Sequence, residues 1–202
     1  MMTQSPDDVL DFWIGTTATS PEALDEKSKL WFQKSFETDR HIADTYVTVL
    51  ADLAAGKAAG WAGRGPKARL AAIIVLDQFS RNIFRGHRFS FKHDALALRL
   101  AREGLARGED HGMPETERVF FYLPFEHSED IGDQHRSVDL FETLAREARE
   151  GFKAFCDMTL DYARQHLDVI ERYGRFPHRN KLLRRASTRE EEAYLRKPGA
   201  GF

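Results

Sequence analysis

Apolar residues recur along the chain with the 3.6-residue period of amphipathic helices, and no stretch alternates with period two over more than a few positions. The pattern predicts an all-α fold. Ser5-Pro6-Asp7-Asp8 reads as an N-cap, a proline at the first helical position and acids facing the helix dipole. This start leads to Val9, Leu10, Phe12 and Trp13 and stops at Gly15; Ser20-Pro21-Glu22 repeats it and leads to Leu30-Trp31-Phe32. A further helix carries Phe36, Ile42, Tyr46, Leu50 and Leu53, and residues 56–65 read as a glycine-punctuated loop. Pro66 opens a helix whose Leu70–Leu76 run is apolar on every face, which marks it as central and buried.

Phe89, Phe91, Ala95, Leu98 and Ala101 fit the next amphipathic helix, and Pro114 starts another that Pro124 closes or kinks. Ser128 is placed to cap a helix in which Ile131, His135, Val138, Phe141 and Ala145 share one face, with His135 a core histidine. Phe152, Phe155, Cys156, Leu160, Ala163, Leu167, Ile170 and Tyr173 form a stripe ended by Gly174, and Ser187-Thr188-Arg189-Glu190 reads as a capping box. Short connections imply antiparallel neighbours, but periodicity alone leaves bundle and solenoid open.

The length of 202 residues fits one domain over 1–202, with a basic C-terminal arm at about 172–202. A net charge of -2 supplies no global field selecting nucleic acid or membrane, so such a preference would need a local patch. A single cysteine, Cys156, excludes an intrachain disulfide and sits on an apolar stripe, as an inert core thiol does. The N-terminus lacks a basic region followed by an apolar one, and no apolar run approaches the ~20 residues of a membrane span, so a cytoplasmic protein is expected.

Three segments interrupt the helical pattern with clustered polar groups. In Leu76–Gly86, Asp77 and Arg81 continue the face of Leu70 and Ile73, where a carboxylate and a guanidinium must pair or line a cavity. Phe121–His135 combines a proline, a helix start and His127, Glu129, Asp130 and Asp133, but carries no Glu-x-x-His or His-Glu-x-x-His motif, so neither metal nor cofactor is expected. From Arg172 to Arg189 the chain has seven Lys/Arg and no acid. That run either docks on the acidic 126–139 region, grips an anionic small ligand or peptide carboxylate, or binds RNA.

The stretches VLDFW (9–13), LDQFSRNIFRG (76–86), FFYLPFEHSEDIGDQ (120–134) and RYGRFPHRN (172–180) resemble, in order, a bacterial family known as domain of unknown function 924. The resemblance spans nearly the whole chain. It implies antiparallel helix pairs in a short, right-handed, tetratricopeptide-like superhelix, and no established activity. Ser80 departs from the proline that the family motif often carries there.

If the three polar segments meet on one concave face, they form a mixed-charge pocket. The leading expectation is a binding protein for a small anionic ligand or peptide carboxylate. In it Arg81, Arg175 and Arg179 clamp the anion, and Gln78, Asn82, Glu129, Gln134 and Asn180 complete the site. The alternative is a hydrolase or transferase with His127 or His178 as general acid/base, oriented by Asp77 or Asp130. RNA binding through the arm is the second alternative, and the expected oligomeric state is left open.

Overall fold

In the computed structural model, which describes residues 4–201, the first helix begins where its capping signal lies. Met1–Thr3 and Phe202, the last residue of the basic arm, fall outside the described residues. Helix α1 (Pro6–Trp13) is closed by a reciprocal capping box between Ser5 and Asp8, and Gly15 takes the left-handed conformation just past its end. A 3-10 turn at Pro21–Ala23 precedes α2 (Leu24–Phe32), and Ser35 caps α3 (Phe36–Asp52).

The segment expected as one glycine loop is mostly helical. A π-helical turn at Leu53–Lys57, with Gly56 at φ 116°, joins α3 to the short α4 (Ala58–Ala62). Alanines here sustain helix between the glycines, and positive φ is used at Gly56 in the kink and at Gly65 just before the next helix.

Helix α5 (Pro66–Ile74) is the centre of the molecule: every residue from Ala68 to Asp77 is buried. It packs against α1 and α4 and against two later helices, α7 (Asp94–Leu105) and α8 (Glu115–Glu126), which follow α6 (Ser80–Ile83). Each large apolar side chain buried in this way contributes about 1.5–3 kcal/mol. Trp13 packs edge-on to Phe79 and Phe120 at 5.2 and 5.7 Å, and Trp31 donates its indole N–H to Trp13 O at 2.9 Å. Between α5 and α6 lies a second π-helical turn, Val75–Phe79, closed by Ser80 N–H donating to Val75 O.

Several expected boundaries move. Phe89 and Phe91 belong to a 3-10 turn at Arg88–Phe91 rather than to α7, which starts at Asp94. Pro124 lies inside α8, which runs on to Glu126. A proline in the last turn forfeits one backbone bond, and here the helix has only two more residues to complete. Asp130, not Ser128, caps α9 (Ile131–Glu147) by accepting from Asp133 N–H at 3.0 Å; Ser128 donates to the Asp133 carboxylate instead. A carboxylate at this position also complements the helix dipole.

The buried face of α9 is Asp133, Gln134, Ser137, Leu140, Phe141 and Leu144, which leaves Ile131 and His135 exposed. His135 is therefore not a core histidine. Helices α8, α9 and α10 (Lys153–Tyr173) lie side by side in chain order, and Gly174 ends α10 in the left-handed conformation. Cys156 is buried in α10, where burial pushes its thiol up to about 12. The arm then forms α11 (Asn180–Leu183) and α12 (Arg189–Leu195), the latter capped by Thr188 and Glu191, one residue beyond the expected pair. No described strand interrupts this all-helical arrangement.

Candidate functional site

The π turn at Val75–Phe79 widens the helix where Asp77 and Gln78 leave the core, a distortion frequent at functional sites. The Asp77 side chain is 1% exposed, and three side chains converge on its carboxylate. His127 Nδ1 lies 2.8 Å from Oδ1, Arg81 donates to Oδ1 at 3.1 Å, and Gln78 Nε2 donates to Oδ2 at 2.6 Å. Burial alone would raise this acid, but the Arg81 and His127 charges and the hydrogen bonds overcome it and hold Asp77 well below the usual carboxylate range.

An ionised carboxylate only accepts, so His127 presents Nδ1–H to Asp77 and carries its lone pair on Nε2. The His127 ring lines a cavity of about 430 Å³. Burial, and next the Arg81 charge, lower His127 below the ordinary histidine value, against the pull of Asp77. Its sequence neighbour Glu126 lines the same cavity, 4% exposed, and moves the other way. Burial and repulsion by Asp77 push Glu126 up to about 8, with Arg81 opposing.

Gln134 holds this pair in place from α9. Its Nε2 donates to Glu126 O at 2.7 Å and Ser128 O at 2.6 Å, satisfying carbonyls that the end of α8 leaves open. Helix α10 contributes His166, whose Nδ1 is 2.8 Å from Tyr162 O and 3.3 Å from Glu126 Oε1. Burial lowers His166 to about 3.

From the arm come His178 and Arg179. Burial, followed by the Arg179 charge, lowers His178 to about 4. The Arg179 guanidinium has the rings of Phe91 and Phe176 packed on it at 4.7 and 4.5 Å. Asp94, from the first turn of α7, takes Arg81 bidentately at 3.1 Å through both oxygens and lies 3.6 Å from Arg179.

The three polar segments do meet, though not through all of their expected residues. Asp77, Gln78, Arg81, His127, His178 and Arg179 gather at the cavity or directly behind it. Asn82 instead donates to Asp39, and Arg175 pairs with Glu191 and donates to Ala186 O. Asn180 bridges Ser187, Glu191 and Arg185 within the arm, and Asp130 is occupied as the α9 cap. Glu129 accepts two bonds from Arg185 and one from Phe176 N–H, fixing the arm to the body as the docking reading expected. Glu129, Asp133 and His127 thus turn to three different sets of partners rather than to one point.

The sequence of a family described as bacterial proteins of unknown function, DUF924, matches residues 9–199. The chain belongs to this family. A solved structure of a protein of unknown function from Agrobacterium tumefaciens is similar to this DUF924 chain, at 38% identity, with a TM-score of 0.79. The match covers 95% of this chain and 96% of that one. No curated protein matches the sequence.

Glu126, Asp94 and His166 were absent from the expected site of this DUF924 chain. For His166 a signal existed: it lies three residues after Ala163 and four before Ile170, on the buried face of α10. Asp94 gave none, because an acid in the first turn of a helix reads as a dipole partner.

Proposed function

We propose that the cavity is the active site of a hydrolase or transferase for a small anionic substrate, with His127 as general base and Asp77 as its orienting partner. The observation that carries this reading is the 2.8 Å His127 Nδ1–Asp77 Oδ1 contact on a cavity wall, with Nε2 left as the ring's basic nitrogen. Glu126 is the partner acid: near neutrality it holds a proton while His127 does not, and such opposed displacement suits acid and base roles. His127 takes the proton of an attacking water or alcohol, and Asp77 stabilises the imidazolium. Glu126 gives its proton to the leaving group, and solvent exchange resets both groups.

The three-arginine clamp of a pure binding protein is weaker support. Arg175 is engaged by Glu191 away from the cavity, and Arg81 is shared between Asp77 and Asp94. Arg179 keeps the binding reading alive as a second choice. An RNA-binding arm would have to rely on Arg172, Lys181, Arg184 and Arg189, since Arg175 and Arg185 are paired with Glu191 and Glu129 and Arg179 is buried. The side-by-side packing of α8, α9 and α10 supports reading the architecture as tetratricopeptide-like antiparallel pairs. The buried free thiol of Cys156 supports a cytoplasmic site of action, and no described helix is long and apolar enough to cross a membrane.

The test is turnover of a panel of anionic carboxylic and phosphoric esters by wild type and His127→Gln. Turnover in the wild type should fall by at least about 100-fold in the variant, with KM little changed, the range for loss of a general base. Activity that survives His127→Gln, or a wild type inert to the whole panel, overturns the catalytic reading in favour of a binding module.

A further inference from the structure

Arg179 is the group the acid–base reading leaves unexplained. Its side chain is 7% exposed, yet no hydrogen bond satisfies it among the described residues, and Nε is buried without a partner. The nearest counter-charge, Asp94, stands 3.6 Å away and already holds Arg81 through both oxygens. A guanidinium has five N–H donors, and burying it uncompensated costs several kcal/mol. An incoming anion would supply the acceptors this guanidinium lacks.

The surroundings restrict that anion. Aromatic rings against the guanidinium exclude water and favour contact through its planar N–H edge, the geometry a carboxylate matches with two parallel bonds. The other arginines of the wall are already occupied, Arg81 by Asp77 and Asp94 and Arg85 by Asp39. A dianion would therefore set a second negative charge near Asp77 and Asp94, and the remaining lysine or arginine of the lining, Lys34, is an exposed side chain that water already solvates. Trp31, Phe32, Val119, Leu123 and Met158 line the same cavity. Phe32 is 50% and Met158 36% exposed, so the apolar wall extends to the rim. A volume of about 430 Å³ is that of a small-molecule site.

We propose that Arg179 and this apolar wall select one chemical class of ligand: a monocarboxylic acid bearing an apolar chain or ring. The carboxylate docks on the Arg179 edge and the apolar group lies along Leu123, Val119 and Trp31, past His127. This places a substrate class in the proposed active site, but the anchor stands or falls without the chemistry.

Calorimetric titration of the full chain with octanoate, acetate, 1-octanol and octyl phosphate tests it. Octanoate should bind saturably, with acetate and octanol each weaker by roughly 10-fold or more, since one lacks the chain and the other the charge. Arg179→Lys should weaken octanoate roughly 10- to 100-fold, the value of a charge-assisted bidentate pair. Met158→Glu, at a lining position that is 36% exposed, should weaken it comparably by placing a charge on the apolar wall.

Octanol binding as tightly as octanoate, octyl phosphate binding more tightly, or no saturable octanoate binding at millimolar concentration would each overturn the proposal. His127→Gln should keep octanoate affinity within a few-fold. If His127→Gln abolishes binding while Arg179→Lys does not, the anchor is misassigned. Intact octanoate binding by a protein inert to every ester overturns only the catalytic reading.

Discussion

Glu126 and His127 are adjacent in sequence and displaced in opposite directions by one environment. Burial acts on both, favouring the neutral form of each: the acid retains its proton and the histidine sheds one. For Glu126 the folded value of about 8 lies above its ordinary 4.5. Its contribution to stability is therefore complete below about pH 4.5 and is lost as pH rises through about 8. We predict that Glu126→Gln, uncharged at every pH, raises Tm over the wild type at about pH 9 and much less at about pH 5. An equal offset at both values would show that Glu126 is not held neutral. His166 and His178 carry the opposite sign. Their folded values of about 3 and 4 lie below the ordinary 6.5, so their contribution is present above that value and lost as pH falls through 4 and then 3.

At the scale of elements, the placement of the site depends on how closely α5, α7 and α8 approach. Gly104 of α7 makes that approach feasible: an added Cβ would overlap the Phe121 ring and come within 2.8 Å of Arg69 Cδ. Alanine is the better helix former by about 1 kcal/mol, but overpacking of this kind costs about 1–3 kcal/mol. Overpacking wins when both contacts are with side chains this well buried. Gly104→Ala should therefore lower the urea midpoint at unchanged m-value, whereas a rise in the midpoint would mean that α7 can slide. The π turn between α5 and α6 acts at the same scale. By widening one helical turn it lets a buried helix present Asp77 and Gln78 without ending.

Across the whole molecule, the cavity is completed by residues from both ends of the chain. The arm brings Arg179 and His178 to Asp77 and His127, and its principal tie is Glu129, which holds Arg185 Nη1 at 2.6 Å, Arg185 Nη2 at 2.9 Å and Phe176 N at 2.8 Å. Charge-assisted bonds of this kind are each worth about 1.5–3 kcal/mol. Glu129→Ala should accordingly open the arm locally, and trypsin should cut within residues 172–189 at least about 10-fold faster while the helical core resists. Equal cleavage rates in variant and wild type would mean that the packing of Phe176 on Val169 and Ile170 and the Arg179–Asp94 pair hold the arm unaided.

The sequence by itself determined the helical fold class, the central position of α5, most helix starts and the three polar segments that form the cavity. These follow from local rules: the 3.6-residue period, capping side chains and glycine stops act within a few residues. The family resemblance was legible for the same reason, since its motifs are contiguous. Tertiary structure alone decided which polar residues face the cavity. Asn82, Arg175 and Asn180 looked equivalent to Gln78 and Arg179 along the chain, but Asp39 and Glu191, distant in sequence, capture them elsewhere. Likewise, His135 and Gln134 compete for the buried side of α9, and the open carbonyls at the end of α8 settle that choice. Burial and charge at a site sum over every element packed there, so the displacement of Glu126 and the burial of Arg179 with only the shared Asp94 as its ion-pair partner among the described residues exist only once the chain has folded.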